Sequence, residues 1–323
     1  MKHHASSVGL FKTDSPILPT KGQMAERYRD KLHSNPKYRL DDATANFLTK
    51  AKAYGIDRLS AVMDEDDILP LYLNIEDGAN ELDDPFFLDC NRLLILSDIH
   101  LGLHERVAVE AAVNHGRRRK ADAVLINGDM FDFPSLSKYV YSPDKLLINK
   151  EFQLAQEFLS WLRMAFPKAR IIFKKGNHDE RYDTFLQTKA PQLYNMASMT
   201  LGSHAKFESL GIEEAKDLQE IRAGKLSIFH GHELKKGGKY YTSAILGKLM
   251  CNTAVGHFHR TQESSGRTLH GEDIACWGSG CLAKLRQKYM PYPDANNGFQ
   301  FVEFYPNGKF KLDNLRIIDG MIL

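Results

Sequence analysis

A chain of 323 residues with 43% hydrophobic content has room for one large α/β domain and an appendage, and enough apolar side chains to build a core. Its 43 basic and 41 acidic residues leave a formal charge of +2, so no whole-molecule field argues for a nucleic-acid or acidic partner, and any such preference is local. The residues after Met1 lack the apolar run of a signal peptide, no stretch approaches the roughly 20 apolar residues that cross a bilayer, and Cys90, Cys251, Cys276 and Cys281 form no CxxC pair. A globular, cytoplasmic protein with reduced thiols and no membrane segment is expected.

The first forty residues are polar and broken by Pro16, Pro19 and Pro36, the texture of an arm. From an N-cap at Asp41 or Asp42, a helical pattern runs through Phe47, Leu48, Ala51 and Tyr54, pauses at Gly55, and resumes with Ile56, Leu59, Val62 and Met63. A helical hairpin packed on the main domain is the commoner meaning of that spacing, and a helix-turn-helix the rarer one. The acidic residues between Asp64 and Asp84 then read as a solvated connector, which closes an extension over residues 1–85.

The texture changes at Asn91. Leu93–Leu96, Ala123–Ile126, Ile171–Phe173 and Leu226–Phe229 are short apolar runs of the kind that make buried strands. Helical segments are expected between them at Glu105–Arg119 and Lys145–Phe166, which gives βαβ alternation. Near the end, Phe299–Tyr305 and the residues from Phe310 flank Pro306-Asn307-Gly308, an antiparallel hairpin around an Asn-Gly turn. Parallel units followed by a hairpin predict an α/β sandwich of mixed sheets over residues 86–323.

Each apolar run ends in residue types that bind metal. Leu96-Ser97 leads into Asp98-Ile99-His100, Ile126-Asn127 into Gly128-Asp129-Met130-Phe131-Asp132, Phe173-Lys174-Lys175 into Gly176-Asn177-His178-Asp179-Glu180, and Phe229 into His230-Gly231-His232-Glu233. A fifth group, Gly256-His257-Phe258-His259-Arg260, follows Thr253-Ala254-Val255. Ligands bind outside the carboxyl ends of strands in open α/β sheets, so the five loops are expected to converge on one crevice. Oxygen donors mixed with imidazoles, with no cysteine among them, suit Mn²⁺, Fe²⁺, Zn²⁺ or Ni²⁺ in a catalytic site rather than a thiolate-held structural zinc. Any one Asp-x-His or His-x-His would be commonplace; the ordered set of five is not. Asp98 and His100 are two residues apart, and the backbone is expected to bend just after the strand, as loops at such ends do.

This ordered set, DxH, GDxxD, GNHD, HG and GHxH, resembles the signature of the calcineurin-like metallophosphoesterases, and Gly176-Asn177-His178-Asp179-Glu180-Arg181-Tyr182 adds a likeness to phage and bacterial members. The resemblance implies a four-layer α/β/β/α sandwich of two mixed sheets and two divalent ions, Mn²⁺ first among them; it leaves the helical N-terminal extension before about Pro85 unexplained. It implies that Asp98, His100 and His259 hold one ion, that Asn177, His230 and His257 hold the other, and that Asp129 bridges them. His230 is preferred over His232 as ligand because the family's histidine precedes the glycine, which leaves His232 for the substrate. Asp132 is expected to orient histidine ligands.

Such a pair of ions lowers the pKa of a water for in-line attack on phosphorus. His178 is the candidate proton donor to the leaving oxygen, with Asp179 expected as its hydrogen-bond partner. Arg181, Lys235 and Lys236, together with Lys174, Lys175, Lys239 and Arg260, lie near the motifs and would guide a polyanion; Lys235–Tyr241 is the candidate substrate loop. A phosphate ester is the expected substrate, read as a phosphodiester such as a nucleic acid or nucleotide. A phosphomonoesterase acting on a nucleotide or phosphoprotein, and a non-catalytic interaction scaffold, remain as alternatives.

Overall fold

The structure, a computed structural model, describes residues 84–137, 146–194, 196–235, 237–286 and 294–323. All but Asp84 belong to a unit running from Pro85 to Leu323. The expected arm, helical hairpin and acidic connector of residues 1–85 lie outside the described residues, save Asp84 and Pro85.

Two mixed sheets face each other. The first contains β2 (Arg92–Leu96), β3 (Ala123–Asn127), β4 (Arg170–Lys174) and β5 (Ile212–Glu214) as parallel neighbours, extended antiparallel beyond β2 by β11 (Asn297–Phe304), β12 (Phe310–Ile318) and β13 (Met321–Ile322). In the second sheet the order is β1 (Phe86–Phe87), β6 (Ile221–Ala223), β7 (Leu226–Phe229), β8 (Thr253–Val255), β10 (Asp273–Gly278) and β9 (Gln262–Arg267). Here β7, β8 and β10 run parallel, whereas β6 and β9 are antiparallel to their neighbours β7 and β10.

The apolar runs are buried because both faces of their strands are covered. All five residues of β3 are buried. Leu93, Ile95, Leu125 and Ile172 pack between the sheets with Ala223, Leu226, Ile228 and Ala254 of the second. Alternate residues Leu94, Leu96, Val124, Ile126, Ile171 and Phe173 face the helical layer. That layer is formed by α1 (Arg106–Arg118), through Ala108, Val109, Ala112 and Val113, and by α2 (Ile148–Ala165), through Phe152, Ala155, Leu159 and Leu162. On the other side of the molecule α4 (Tyr241–Leu249) lays Tyr241, Ile245 and Leu246 against Val255, Ile274 and Cys276. Four layers result, as expected.

Both predicted helices form within a few residues of their expected bounds. So does the hairpin, whose pairing closes at Phe304 opposite Phe310 with Gly308 at φ 73°. The Arg117–Lys120 run ends α1 with Arg117, Arg118 and Lys120 exposed, and Arg119 paired with Glu303 at 3.0 Å. Cys90, Cys251, Cys276 and Cys281 are free thiols. Among the described residues no helix is long and apolar enough to cross a membrane.

Candidate metal centre

Strands β2, β3 and β4 of one sheet and β7 and β8 of the other end on the same side, and every motif loop leaves one of these ends. Backbone bonds tie the loops together: Asp98 N donates to Gly128 O at 3.1 Å, His100 N to Asp129 O at 2.9 Å, and Gly256 N to His230 O at 2.8 Å. Asn127 Nδ2 donates to Phe229 O at 2.9 Å and so staples one sheet to the other.

The expected bend after each strand takes one particular form. Asp98, His100, Asp129, His257 and His259 all have left-handed backbones, with φ of 55°, 48°, 53°, 66° and 57°. Only a few per cent of non-glycine residues adopt that region, though Asp and His are enriched there. Five such residues in one cluster mark a site where the surrounding structure imposes strain. Residues two apart share a face even along a continued strand; the turns serve instead to bring these side chains into the donor groups described next.

The side chains then converge in three groups, one of them His100, Asp132 and His178. Asp98, His100, Asp129 and His259 each offer a nitrogen or oxygen within 4.8 Å of the others; Asp129, His230 and His257 form a second such set. Asp129 is common to these two. Its Oδ2 lies 3.4 Å from His230 Nε2 and 3.8 Å from His100 Nε2, while Oδ1 accepts the His178 N–H at 2.8 Å. Asp98 Oδ1 lies 3.2 Å from His259 Nε2, and both its oxygens accept from His257 N. Asp98, His100, Asp129 and His230 are buried, whereas Asn177, His178, His257 and His259 are half-buried, so the cluster opens on one side.

Two buried atoms in this cluster have no hydrogen-bond partner among the described residues: Asn177 Oδ1 and His230 Nε2. Buried polar atoms are rarely left so. His230 Nδ1 is meanwhile held by the Asn127 carbonyl at 2.8 Å, which fixes Nε2 as the outward-facing nitrogen. An amide oxygen and an imidazole nitrogen without hydrogen-bond partners, beside two carboxylates, fit a hard or borderline divalent cation.

The electrostatics agree. Burial pushes Asp98 and Asp129 up, but the imidazoles around them outweigh it: His259 and His230 hold Asp98 low, and His230, His178 and His100 hold Asp129 well below the carboxylate range. Burial pulls His230 down, yet Asp129 and Asp98 carry it to about 10. His257 drops to about 4, through burial and the charge of His230, and so presents a neutral imidazole. Without a cation, protonated imidazoles balance these carboxylates; a dication there would displace those protons.

Glycines keep the approach close. A Cβ on Gly176 would lie 2.3 Å from Asp129 Oδ1 and 2.8 Å from His230 Nε2, and one on Gly128 2.2 Å from His230 Nδ1. Gly176→Ala is therefore expected to keep its fold by circular dichroism but to lose about 10- to 100-fold in metal affinity, comparable to losing an orienting partner; titration with Mn²⁺ measures it.

One expected pairing is corrected. Asp179 does not face the His178 imidazole. It is buried and accepts the backbone N–H groups of Asp129 at 2.7 Å, Phe131 at 2.9 Å and Gly176 at 2.7 Å. The partner of His178 is Asp132, whose Oδ1 lies 2.9 Å from His178 Nδ1 and 3.1 Å from His100 Nδ1. The spacing was the obstacle: at i and i+1 the two side chains diverge, whereas Asp132 arrives from the neighbouring loop. Arg181 completes this corner, with Nη1 donating to Asp132 O at 2.7 Å and Nη2 lying 3.0 Å from His178 Nε2.

His232 stands apart from all three groups. Its Nε2 lies 2.9 Å from Glu180 Oε1 and its Nδ1 3.1 Å from Glu233 Oε2; these carboxylates overcome burial and raise it to about 9. Glu233, unremarked in the sequence, also receives His230 N and Gly231 N and pairs with the buried Lys174 at 3.2 Å.

Three of the cations expected to guide a polyanion are thus engaged internally. Lys174 is buried on Glu233 and Gln219, Lys175 pairs with Asp183 at 2.8 Å and Asp217 at 2.9 Å, and Arg260 pairs with Asp294 at 2.6 Å. Lys235 and Lys239 are exposed; Lys236 lies outside the described residues.

The calcineurin-like phosphoesterase family model matches residues 91–278, which span β2 to β10 and all five motif loops. The Gene 54 protein of Mycobacterium phage L5 is 25% identical over 181 residues, covering 52% of this chain and 69% of the relative. Among solved structures, vacuolar protein sorting 29 from Cryptosporidium parvum superposes with a TM-score of 0.39 at 15% identity, covering 72% of this chain and 95% of its own. The E. coli phosphoesterase Yfce superposes with a TM-score of 0.32 at 14% identity, covering 69% and 98%. With more than half of its length matched by the family model, and the motif residues gathered at one sheet edge, the chain belongs to the calcineurin-like phosphoesterase family.

Proposed function

We propose that residues 86–323 form the catalytic domain of a dinuclear metal-dependent phosphodiesterase. In this reading Asp98, His100 and His259 hold one divalent ion, Asn177, His230 and His257 the other, and Asp129 stands between them. The observation that carries it is Asp129's membership of two donor groups, next to two buried atoms that no group among the described residues satisfies. Two bound ions, Mn²⁺ first among the candidates, would supply a water of lowered pKa and neutralise phosphoryl charge.

The protein's own contribution is placement and proton transfer. Asp132 accepts from His178 Nδ1–H, which directs Nε2 towards the open side of the cluster. There, once Arg181 Nη2 turns from it to the phosphoryl oxygen, His178 protonated at both nitrogens gives its Nε2 proton to the departing oxygen and keeps Nδ1–H on Asp132. Arg181, at 3.0 Å from His178 Nε2, is placed to meet a phosphoryl oxygen with its guanidinium. The Asp132 carbonyl at its other nitrogen holds the side chain in that corner. Lys235, exposed on the loop of His232, extends the positive surface towards the rest of a phosphodiester, whereas the charge of His232 is balanced by Glu180 and Glu233. Asp179 acts through the backbone alone: it fixes the loops of Asp129 and Asn177 from beneath.

The internal pairing of Lys174, Lys175 and Arg260 leaves fewer free cations than a long nucleic-acid track requires, which favours a short phosphodiester or a nucleotide as substrate. It also keeps the phosphomonoesterase reading in view. Hydrolysis of bis-p-nitrophenyl phosphate against p-nitrophenyl phosphate, then of cyclic nucleotides, DNA and RNA with Mn²⁺, separates them. The proposal expects the diester to be turned over at the higher kcat/KM; a preference for the monoester would reverse it.

A further inference from the structure

Beneath the Asp132–His178 pair lies a carboxyl group that the chemistry above does not use. Glu151, in the first turn of α2, is fully buried. Its Oε1 accepts two successive backbone N–H groups, from Asp132 at 3.1 Å and Phe133 at 2.7 Å. Those groups point away from the metal centre, into a layer where Phe131 stacks on Phe133 at 4.8 Å and Phe152 closes edge-on against both. Asp132, Phe133 and Glu151 are all buried, so the two donors depend on Glu151. The loop needs the help: Phe133 is left-handed at φ 43°, and the following Pro134 has no N–H to share.

Asp132 is thereby fixed from three sides. Its N–H rests on Glu151, its carbonyl takes Arg181 Nη1, and its Oδ1 takes the imidazoles of His178 and His100. Asp179 grips the other half of the loop, through Asp129 N and Phe131 N. Two buried carboxyl groups therefore cradle the backbone from Asp129 to Phe133, one under the bridging aspartate and one under the aspartate that aims His178.

We infer that Glu151 is a positioning residue for the Asp132–His178 pair: reaching from α2, its carboxyl sets the backbone of Asp132 and, through Asp132, the aim of the His178 and His100 imidazoles. The inference rests on the phosphoesterase reading for its catalytic consequence, and on geometry alone for its structural one. Burial, reinforced by Asp132 and Asp179 nearby, raises Glu151 to about 8 against the pull of its two N–H donors. It thus carries a proton near neutral pH, and glutamine reproduces both its shape and its acceptor oxygen.

The test uses the full chain and three variants. Glu151→Ala removes the acceptor, Glu151→Asp withdraws it by one methylene, and Glu151→Gln keeps it. With Mn²⁺ and bis-p-nitrophenyl phosphate, Glu151→Ala and Glu151→Asp are expected to lose about 10- to 100-fold in kcat, the range seen when an orienting partner is removed. KM should stay within about threefold, and Glu151→Gln should recover kcat to within about threefold of wild type, because placement of the proton donor is used in the transition state rather than in binding. In metal-free protein, the imidazole N–H resonances of His178 and His100 should shift in the alanine and aspartate variants and stay in place in the glutamine one. Should Glu151→Ala fail to fold, Glu151→Asp decides. Wild-type kcat with unmoved imidazole resonances in the aspartate variant overturns the inference, as does a glutamine variant as slow as the aspartate one. A wild-type protein that hydrolyses no phosphate ester sinks the phosphoesterase reading instead, and the resonances then still report whether Glu151 aims the imidazoles.

Discussion

Asp129→Asn protein is expected to lose its metal and, with it, essentially all phosphoesterase turnover. Asp129 is the one side chain shared by the two groups proposed to hold the ions. Its Oδ1 takes the His178 N–H at 2.8 Å, and its Oδ2 looks towards His230 and His100 at 3.4 and 3.8 Å. In asparagine the remaining oxygen is claimed by that N–H, because an amide nitrogen there would set donor against donor. The NH₂ then points into the space between the imidazoles, where it offers hydrogens in place of a lone pair, and the charge is gone as well. The loss in affinity should exceed the about 10- to 100-fold typical of outer partners. Metal content by elemental analysis, read beside the rate, checks it; an active, metal-replete Asp129→Asn protein would refute the bridging role.

His178→Ala should behave oppositely in one respect. It is expected to keep its metal and lose turnover by about 10²- to 10⁴-fold, the usual contribution of a placed general acid. The imidazole lies beside the donor groups but its Nδ1 is engaged by Asp132, and Asp132 keeps His100 as a second partner when His178 is removed. Leaving-group chemistry offers the sharper comparison. A nitrophenolate departs readily without a proton, whereas an alkoxide does not, so the deficit should be several-fold smaller on nitrophenyl esters than on an alkyl phosphodiester. Equal deficits on both would mean that His178 does something other than donate a proton.

Much of this architecture could be read from the chain because the signals were local. Leu93–Leu96 and Ala123–Ile126 are continuous apolar runs since both faces of their strands are covered, and Asp98, Gly128-Asp129 and Gly176-Asn177 begin within two residues of the ends of β2, β3 and β4. What the sequence could not supply was the partner of each group across the fold. The pairing of His178 was sought in the adjacent Asp179, while the contact is made by Asp132, 46 residues away. In the sequence Glu151 is one acidic residue at the start of a helix; the N–H groups it receives belong to Asp132 and Phe133, 19 and 18 residues away. Lys174 and Lys175 looked like surface cations before a motif, but Lys174 ends a strand covered on both faces and is satisfied by Glu233. The weakest strands were also invisible: β1 and β6 are two and three residues long and gain their identity only from pairing with each other and with β7.

Anomalous diffraction from crystals of the full chain grown with Mn²⁺ tests the central claim most directly. Two peaks are expected, one among Asp98, His100 and His259 and one among Asn177, His230 and His257, with the Asp129 carboxylate between them. A single peak, peaks elsewhere, or none at saturating Mn²⁺ would contradict the dinuclear centre and the chemistry built on it.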